Sequence, residues 1–345
     1  MHVVIIGLTK RDQQPTTKRL FNYEDLRGDP VESVHKALSP YLFDAGGLSD
    51  RHLVVTRSRE PLNGLPGICV GSKPVDGGNY IFDASQRAAF LAREPAAASI
   101  VRPYIGSREY INNEMRWILY PQGLQVQELK RLSAVMERIA DVRKYRSGGG
   151  NLARELADRP AEYHVTVVPT DSFLAIPEVS SERREYIPIG WLEPPTIPSN
   201  KLLIVPHASL DLFALLVSKM HMAWVAYIGG RLKSDYQYSG GVVYNTFPVP
   251  QRDDRARTTL ATAAQAVLQQ RATHAGASLA DLYDPDLMPA DLRRAHRALD
   301  AAVEALYRRA AFQSDRDRVE HLFMLYEQMV RPLTAPPLRG RRAAA

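Results

Sequence analysis

The chain has one cysteine, Cys69, in 345 residues, and it has no long uninterrupted apolar run. A single cysteine excludes a disulfide framework and a cysteine-rich zinc site, and it fits a reducing cytoplasm. The opening MHVVIIGL is too short for a signal peptide and lacks a basic segment and a cleavage site. Asp211, Lys219 and His221 interrupt the most apolar segment, 208–228, which is therefore typical of a core helix rather than a membrane span. We expect a cytoplasmic protein without a membrane partner.

Catalytic motifs are missing as well. The sequence contains no Asn/Asp-Pro-Pro-aromatic tetrapeptide, the motif that holds a flipped adenine in methyltransferases. Gly148-Gly149-Gly150 is not followed by the Lys-Ser/Thr of a phosphate-binding loop. The nine histidines do not pair with Cys, Asp or Glu at ligand spacing, and no nuclease arrangement stands out. The sequence therefore predicts no catalytic residue and no metal site.

The composition is that of an ordinary globular protein, with 45% hydrophobic and 24% charged residues and room for two or three domains. Basic side chains number 44 and acidic side chains 38, which gives a formal net charge of +6. This modest basic excess favours a polyanionic partner such as nucleic acid.

The β-branched run HVVIIGL at 2–8 predicts a strand buried on both faces of a parallel sheet. The polar connector that follows it supplies neither neighbouring strands nor covering helices. We therefore expect 2–8 to be the last strand of a sheet whose remainder is not in this sequence.

Residues 50–250 alternate short strand-like and helix-like pieces with turns, which predicts a mixed α/β domain. The expected strands are 52–57, 116–120, 163–169 and 201–206, with an extended, proline-rich piece between the last two. The expected helices run from Ser85 to about Arg93 and over 126–146 and 208–228. Basic side chains on helix 126–146 form either an ordinary solvated face or a stripe that follows phosphates: Lys130, Arg131, Arg138, Arg143, Lys144 and Arg146.

Three helices are predicted towards the C-terminus, at about 256–273, 289–311 and 315–330. Ser314 is a suitable N-cap for the last one, and Pro289 lies near the start of the second. Short links between the helices predict antiparallel packing in a small bundle.

The most informative segment is 224–250, WVAYIGGRLKSDYQYSGGVVYNTFPVP. An apolar helix is expected to stop at Gly229-Gly230, where a residue can take positive φ. A cation, an anion, an amide and aromatics follow within eight positions: Arg231, Lys233, Asp235, Tyr236, Gln237 and Tyr238. Such side chains hydrogen-bond to base edges in DNA. The alternative is a surface loop with a local ion pair.

GRLKSDY and YSGGVVYNTFPVP resemble the signature that closes the target recognition domain of the MmeI-type, or type IIL, restriction–modification enzymes. Further segments resemble this family in the family's order, at 2–8, 58–82, 94–120, 177–194, 278–307 and 314–329. In such enzymes one chain carries a nuclease, a helical spacer, an adenine-N6 methyltransferase, a target recognition domain and a C-terminal helical domain. The resemblance covers nearly the whole sequence but only the C-terminal third or so of such an enzyme.

The resemblance implies a mixed α/β target recognition domain followed by a small all-α bundle. The implied parts are a remnant of the methyltransferase domain with a linker at 1–48, the target recognition domain at 49–250, the helical domain at 251–335 and a disordered basic tail at 336–345. The implied function is sequence-specific recognition of double-stranded DNA by a chain that is not catalytic alone. The chain is expected to hold no cofactor itself, and S-adenosylmethionine is expected to bind the missing methyltransferase domain.

Two alternatives stay open. In the first, the chain is an active methyltransferase subunit with a cryptic S-adenosylmethionine site. In the second, it is a docking subunit that does not contact DNA. A separate methyltransferase or nuclease chain is a further candidate partner.

The resemblance also implies base-reading residues. Lys233 and Asp235 match a pair that discriminates one base pair at the edge of the site. Lysine donates to guanine and aspartate accepts from cytosine, so this pair is expected to read G·C. Glu178 and Asn200 match a second pair and Lys201 a further reader; the alternatives are a surface carboxylate for Glu178 and a strand-entry turn for the other two. The candidates for phosphate contacts are Arg57, Arg59, Arg138, Arg143, Arg183, Arg184 and Arg231.

Overall fold

A computed structural model of the chain describes residues 6–10, 13–23 and 28–334. The first element is an antiparallel hairpin of β1 (Lys18–Asn22) and β2 (Val31–His35). Of the strand expected at 2–8, residues 2–5 lie outside the described residues, and 6–8 belong to no strand and are exposed. The segment expected to be only a polar connector contains β1. The tail expected at 336–345 also lies outside the described residues.

One part of the mixed α/β region is built on a four-stranded sheet with the order β10-β5-β6-β4. Its strands are β4 (Ile81–Phe82), β5 (Val101–Ile105), β6 (Trp117–Leu119) and β10 (Ile197–Pro198), of which β10 runs parallel to β5. The helices of this part are α1 (Ala84–Arg93), α2 (Ser107–Asn112), α3 (Val126–Leu129), α4 (Ser133–Ser147) and α5 (Asn151–Glu155). Asp83 caps α1 with its side chain, so the helix begins at Ala84, one residue before the expected start at Ser85.

The single helix expected over 126–146 is wrong, because the chain breaks between α3 and α4. Leu132 has an extended backbone at the break, with φ −100° and ψ 91°. This conformation allows both Leu129 and Leu132 to be buried in the same hydrophobic core.

Both interpretations of the basic side chains on helix 126–146, a solvated face or a stripe that follows phosphates, are wrong for Arg146, because it is completely buried. Its guanidinium donates five hydrogen bonds of 2.7 to 3.0 Å to backbone carbonyls, those of Pro74, Val75, Leu156, Arg159 and Glu162. Because all of its N–H groups have backbone acceptors, Arg146 fixes the loops around the end of α4 instead of facing solvent.

A second four-stranded sheet is antiparallel throughout and has the order β3-β11-β7-β9. Its strands are β3 (Cys69–Val70), β7 (Phe173–Pro177), β9 (Gly190–Leu192) and β11 (Leu202–Pro206). The expected strand 201–206 is confirmed as β11. The strands expected at 52–57 and 163–169 do not form; in the second, Val165 makes a lone bridge with Lys73. Ser72 binds the backbone of Val167 there, so side-chain contacts replace a strand ladder.

The apolar segment 208–228 forms two helices instead of one, α6 (Leu210–Leu216) and α7 (Lys219–Ile228), bent by 52°. The Ser218 hydroxyl caps α7 by accepting from the His221 backbone N–H. Gly229 ends α7 in an extended conformation, not at positive φ, and a Cβ there would lie 2.5 Å from the Val225 carbonyl oxygen. Glycine is therefore required for close approach.

Among the described residues, no single helix is long and apolar enough to span a membrane. The two helices of this bent pair have that length and apolarity only when they are taken together.

The C-terminal region is helical, with α8 (Asp254–Thr273), α9 (Leu279–Leu282), α10 (Ala290–Tyr307) and α11 (Asp315–Thr334). The expected cap at Ser314 is confirmed, since its hydroxyl accepts from the Asp317 N–H at 3.1 Å. These helices share the core of the α/β region: α8 packs on α6, and α11 packs on α7. The Trp224 ring lies 5.3 Å from Phe323 and 5.7 Å from Tyr326. The predicted fold class, mixed α/β followed by helices, is confirmed.

A buried acid joins the α/β region to α10. Asp300 accepts from the Tyr186 hydroxyl at 2.6 Å and from the Lys219 backbone N–H at 2.7 Å. Burial raises the pKa of Asp300 to about 6, and the two hydrogen bonds oppose that rise only partly.

We expect Arg146→Met to lower the free energy of unfolding by about 3 kcal/mol, because it leaves five buried or partly buried carbonyls without their donor. Urea unfolding followed by circular dichroism measures this loss. Arg143→Met on the same helix is the matched control: Arg143 is exposed, and its replacement should change stability by less than about 0.5 kcal/mol. Equal midpoints for the two variants would contradict the structural role of Arg146.

Asp300 should make the protein less stable as pH rises. Its pKa in the folded state, about 6, lies above the ordinary value of 3.8. Its stabilising contribution is thus complete below about pH 4 and is lost as pH rises to about 6 and beyond. Relative to Asp300→Asn, which does not titrate, wild type should lose about 3 kcal/mol of unfolding free energy between pH 4 and 7. Parallel stability curves for the two proteins would show that Asp300 ionises normally.

Candidate nucleic-acid interface

A third sheet carries the motif that the sequence singles out. It consists of the hairpin β12 (Gly230–Leu232) and β13 (Asp235–Gln237), with β8 (Val179–Ser180) paired to the other edge of β13. Lys233 and Ser234 form the two-residue turn at the tip of the hairpin. Lys233 has a left-handed backbone with φ +58°, which is costly for a residue with a Cβ. Such strain persists only where the surroundings hold the chain in place.

The hairpin has two chemically different faces. Residues directly opposite each other on antiparallel strands share a face. Asp235 lies opposite Leu232 and Gln237 opposite Gly230, so the carboxylate and the amide share one face. Arg231 lies opposite Tyr236 on the other face, with its guanidinium 4.0 Å from the tyrosine ring centroid.

The structure brings Lys233 and Asp235 together at the tip of this hairpin. Lys233 is exposed, and no other described residue makes an ion pair with its side chain. Asp235 is half-buried, and its Oδ1 accepts from the Glu182 backbone N–H at 3.3 Å. One bond to a main-chain donor leaves the second carboxylate oxygen available to a ligand.

The other three expected readers lie beside one another at the base of the same sheet. The Lys201 ammonium is 3.0 Å from Glu178 Oε2, and the Glu178 N–H donates to the Lys201 carbonyl at 3.1 Å. The Asn200 N–H donates to the Ser72 carbonyl at 2.9 Å, and no hydrogen bond of the Asn200 side-chain amide occurs among the described residues. The Tyr238 N–H donates to the Glu178 carbonyl at 2.8 Å, so this group is tied to the hairpin through β13.

A cleft of about 990 Å³ lies between the hairpin, β3 and the loop at 57–59. Its polar lining includes Glu178, Asn200, Gln237, Arg57 and Arg59. Gln237 was not among the residues selected as readers in the sequence. The period of two along a strand could have identified it, since it follows Asp235 by two positions on the same face.

The arginines expected at phosphates differ in what they already bind. Arg57, Arg59 and Arg143 are exposed, and no side-chain partner of these three occurs among the described residues. Arg57 lies against Gly241, where a Cβ would come within 2.8 Å of the arginine Nε. These three guanidinium groups are therefore accessible to an anion.

The remaining four are engaged with the protein itself. Arg183 pairs with Asp286 at 2.5 Å, and burial lowers the pKa of Arg184. Arg138 donates to the Asn79 carbonyl at 2.6 Å and lies 4.5 Å above the Phe82 ring. Arg231 donates to the carbonyls of Ser234 and Ala226, both at 3.1 Å.

Two buried histidines near these elements have structural contacts. The His221 ring lies 2.9 Å from the Tyr238 hydroxyl, and burial lowers the pKa of His221 to about 3. His296 lies 2.7 Å from the Tyr283 hydroxyl. Among residues 6–10, 13–23 and 28–334, no three His, Cys, Asp or Glu side chains are grouped so as to hold a metal ion.

Comparison with protein families gives two matches that together cover most of the chain. Residues 49–251 match the family described as the MmeI target recognition domain, and residues 252–334 match the MmeI C-terminal domain.

Individual proteins give consistent similarities. The chain is 34% identical over 328 residues to DNA methyltransferase A of Bacillus subtilis (strain 168), covering 95% of this chain and 36% of that protein. It matches a structure of the type IIL restriction–modification enzyme MmeI in complex with DNA, with a TM-score of 0.86 and 34% identity over 92% of this chain and 42% of that one. Similarity to the type IIG restriction endonuclease BpuSI has a TM-score of only 0.35 and carries no argument. The chain thus spans less than half the length of the relatives that it matches.

Proposed function

The chain belongs to the MmeI family, carrying its target recognition domain followed by its C-terminal domain, and on that premise we propose that it recognises a specific sequence in double-stranded DNA for an adenine-N6 methyltransferase. The observation that carries the proposal is the cleft. Its lining combines Gly230 and Gln237 of the hairpin with Glu178, Asn200 and the exposed arginines Arg57 and Arg59. Lys233 and Asp235 lie at the tip of the same hairpin, and Lys201 pairs with Glu178.

The hairpin has the shape and chemistry to read a base pair. A two-stranded ribbon fits the major groove, which is about 12 Å wide. Lys233 at the exposed tip would donate to guanine O6 or N7, and the free oxygen of Asp235 would accept from cytosine N4. Adjacent placement at one turn supports the assignment of both residues to one G·C pair.

The group at the base of the hairpin supplies the second and third readers. Glu178 is suited to cytosine N4, Asn200 to adenine N6 and N7, and Lys201 to guanine. Glu178 and Lys201 neutralise each other across 3.0 Å in the free protein. To replace that ion pair, DNA would have to offer a hydrogen-bond donor to Glu178 and an acceptor to Lys201. Base edges carry both kinds of group, whereas phosphates only accept, so this group is better suited to bases than to phosphates.

Phosphate contacts are proposed for the arginines that the fold leaves accessible. Arg57 and Arg59 border the cleft, so they can bind the backbone on either side of a base that lies in it. Arg143 is the accessible part of the basic stripe. Arg138 and Arg183 would have to give up internal contacts first, and Arg184 is partly buried.

Chemistry on the DNA is assigned to a methyltransferase domain outside these residues. That domain would bind S-adenosylmethionine, whether it lies in a longer form of this chain or in a separate one. We propose that residues 49–334 provide recognition only, and that the protein acts in the cytoplasm. The matched relatives support this division, because this chain aligns with 36% of one and 42% of the other.

Exchanging the charges of the reader pair should invert its preference. In the double variant Lys233→Glu with Asp235→Arg, position 233 carries an acceptor in place of a donor, and position 235 carries a donor in place of an acceptor. We expect the double variant to prefer the inverted base pair, with about 1–3 kcal/mol of discrimination for each correct contact. The chain is fused to the methyltransferase part of a relative, and sites methylated in a randomised DNA library are sequenced.

The matched control is the exposed ion pair Arg159–Glu162, whose charges can be exchanged in the same way. That exchange should leave every base preference unchanged. If the Lys233/Asp235 double variant kept the original preference at all positions, the two residues would not read bases.

Neutralising the accessible arginines should reduce the salt dependence of DNA binding. For Arg57→Met, Arg59→Met and Arg143→Met, we expect the slope of log K against log salt to fall by up to about 0.9 each, one released phosphate contact per variant. Exposed Arg309→Met is the control and should not change the slope. A slope unaffected by all three variants would favour a docking subunit that does not contact DNA.

A further inference from the structure

We infer that Arg231 is a positioning residue that holds the tip of the reading hairpin and that it does not bind a phosphate. This inference rests on the proposed function, since it explains how Lys233 and Asp235 are kept in place. It reassigns an arginine that sequence reasoning places among the phosphate contacts.

The contacts of Arg231 join the turn of the hairpin to the C-terminal end of α7. Its Nη1 donates to the Ser234 carbonyl in the turn at 3.1 Å. Its Nη2 donates at 3.1 Å to the carbonyl of Ala226, in the last turn of α7. Carbonyls in the last turn of a helix have no donor within the helix, and a cation there also interacts favourably with the helix dipole.

Stacking removes the remaining freedom of the guanidinium. The Arg231 side chain lies 4.0 Å from the centroid of Tyr236, directly opposite it across the hairpin. A planar group held by one ring and two carbonyls has a fixed orientation, which an ammonium could not reproduce. Asp235 and Gln237 lie on the opposite face of the hairpin, so the Arg231 side chain does not cover them.

The strain at the tip explains why such a clamp is needed. Lys233 has φ +58°, in a turn of two residues without glycine. An unclamped turn would relax towards conformations with negative φ, which would move the Lys233 side chain relative to Asp235. Arg231 therefore contributes to specificity through Lys233 and Asp235 without touching a base.

Amide hydrogen exchange on the DNA-free full chain tests the clamp itself. In Arg231→Met and Arg231→Lys, peptides covering 226–238 should exchange about tenfold faster, because two charge-assisted hydrogen bonds and a stacked ring contact are weakened or lost. Exposed Arg309→Met is the matched control and should exchange like wild type in these peptides. Unchanged exchange in both Arg231 variants would overturn the clamp.

Base preference and salt dependence of the methyltransferase fusion test the consequence. Both Arg231 variants should lose about tenfold in discrimination at the base pair read by Lys233 and Asp235, keep the preferences at other positions and keep the wild-type salt slope. A phosphate contact would behave differently: Arg231→Lys would keep the affinity, and Arg231→Met would lower the slope with every preference intact. That pattern would overturn the positioning role.

The two proposals fail in distinguishable ways. If wild type shows no base preference at all, the proposed function is wrong and the reading role of the clamp falls with it, whereas the exchange result still decides whether Arg231 holds the hairpin. If wild type discriminates and the Arg231 variants discriminate equally well, the proposed function stands and the positioning role is overturned.

Discussion

Burial of the bent helix pair α6–α7 is the constraint on which the rest of the structure depends. Every residue from Asp211 to Val217 is buried, and so is most of α7. The pair shares one core with the β3-β11-β7-β9 sheet on one side and with α8, α10 and α11 on the other. Neither region could remove its apolar surface from water without the other. The end of α7 is thereby fixed, and the hairpin that follows it starts from a rigid support.

Elements with long, regular patterns could be predicted from the sequence. Helices α10 and α11 repeat their apolar residues at helical spacing over about three to four turns, and such periodicity can be identified without knowing the packing partner. The short strands could not be placed in this way. The segments 52–57 and 163–169 have the composition of strands but lack a neighbour to pair with, whereas β7 to β10 arise in a stretch expected to be merely extended. Strand formation depends on which distant segment lies alongside.

In the candidate site too, local features could be predicted from the sequence and tertiary contacts could not. The motif GRLKSDY could place Lys233 and Asp235 at one local turn, because all the relevant residues are consecutive. Composition gives no means to tell one arginine from another. Arg146 is enclosed by carbonyls, Arg231 is bound to a helix end, and Arg57 is free. Only the tertiary contacts separate these three environments.

The left-handed backbone at the hairpin tip constrains Lys233 and Asp235, the proposed reader pair, to different degrees. Asp235 lies in a strand, whose backbone conformation is accessible to most side chains, so the local backbone restricts substitution there little. Position 233 must also tolerate φ +58°, which excludes the β-branched residues and favours glycine or asparagine over most others. When the recognition sequence changes in evolution, fewer residue types are therefore available at position 233 than at position 235. This limit is set by the backbone of the protein and not by the base that is read.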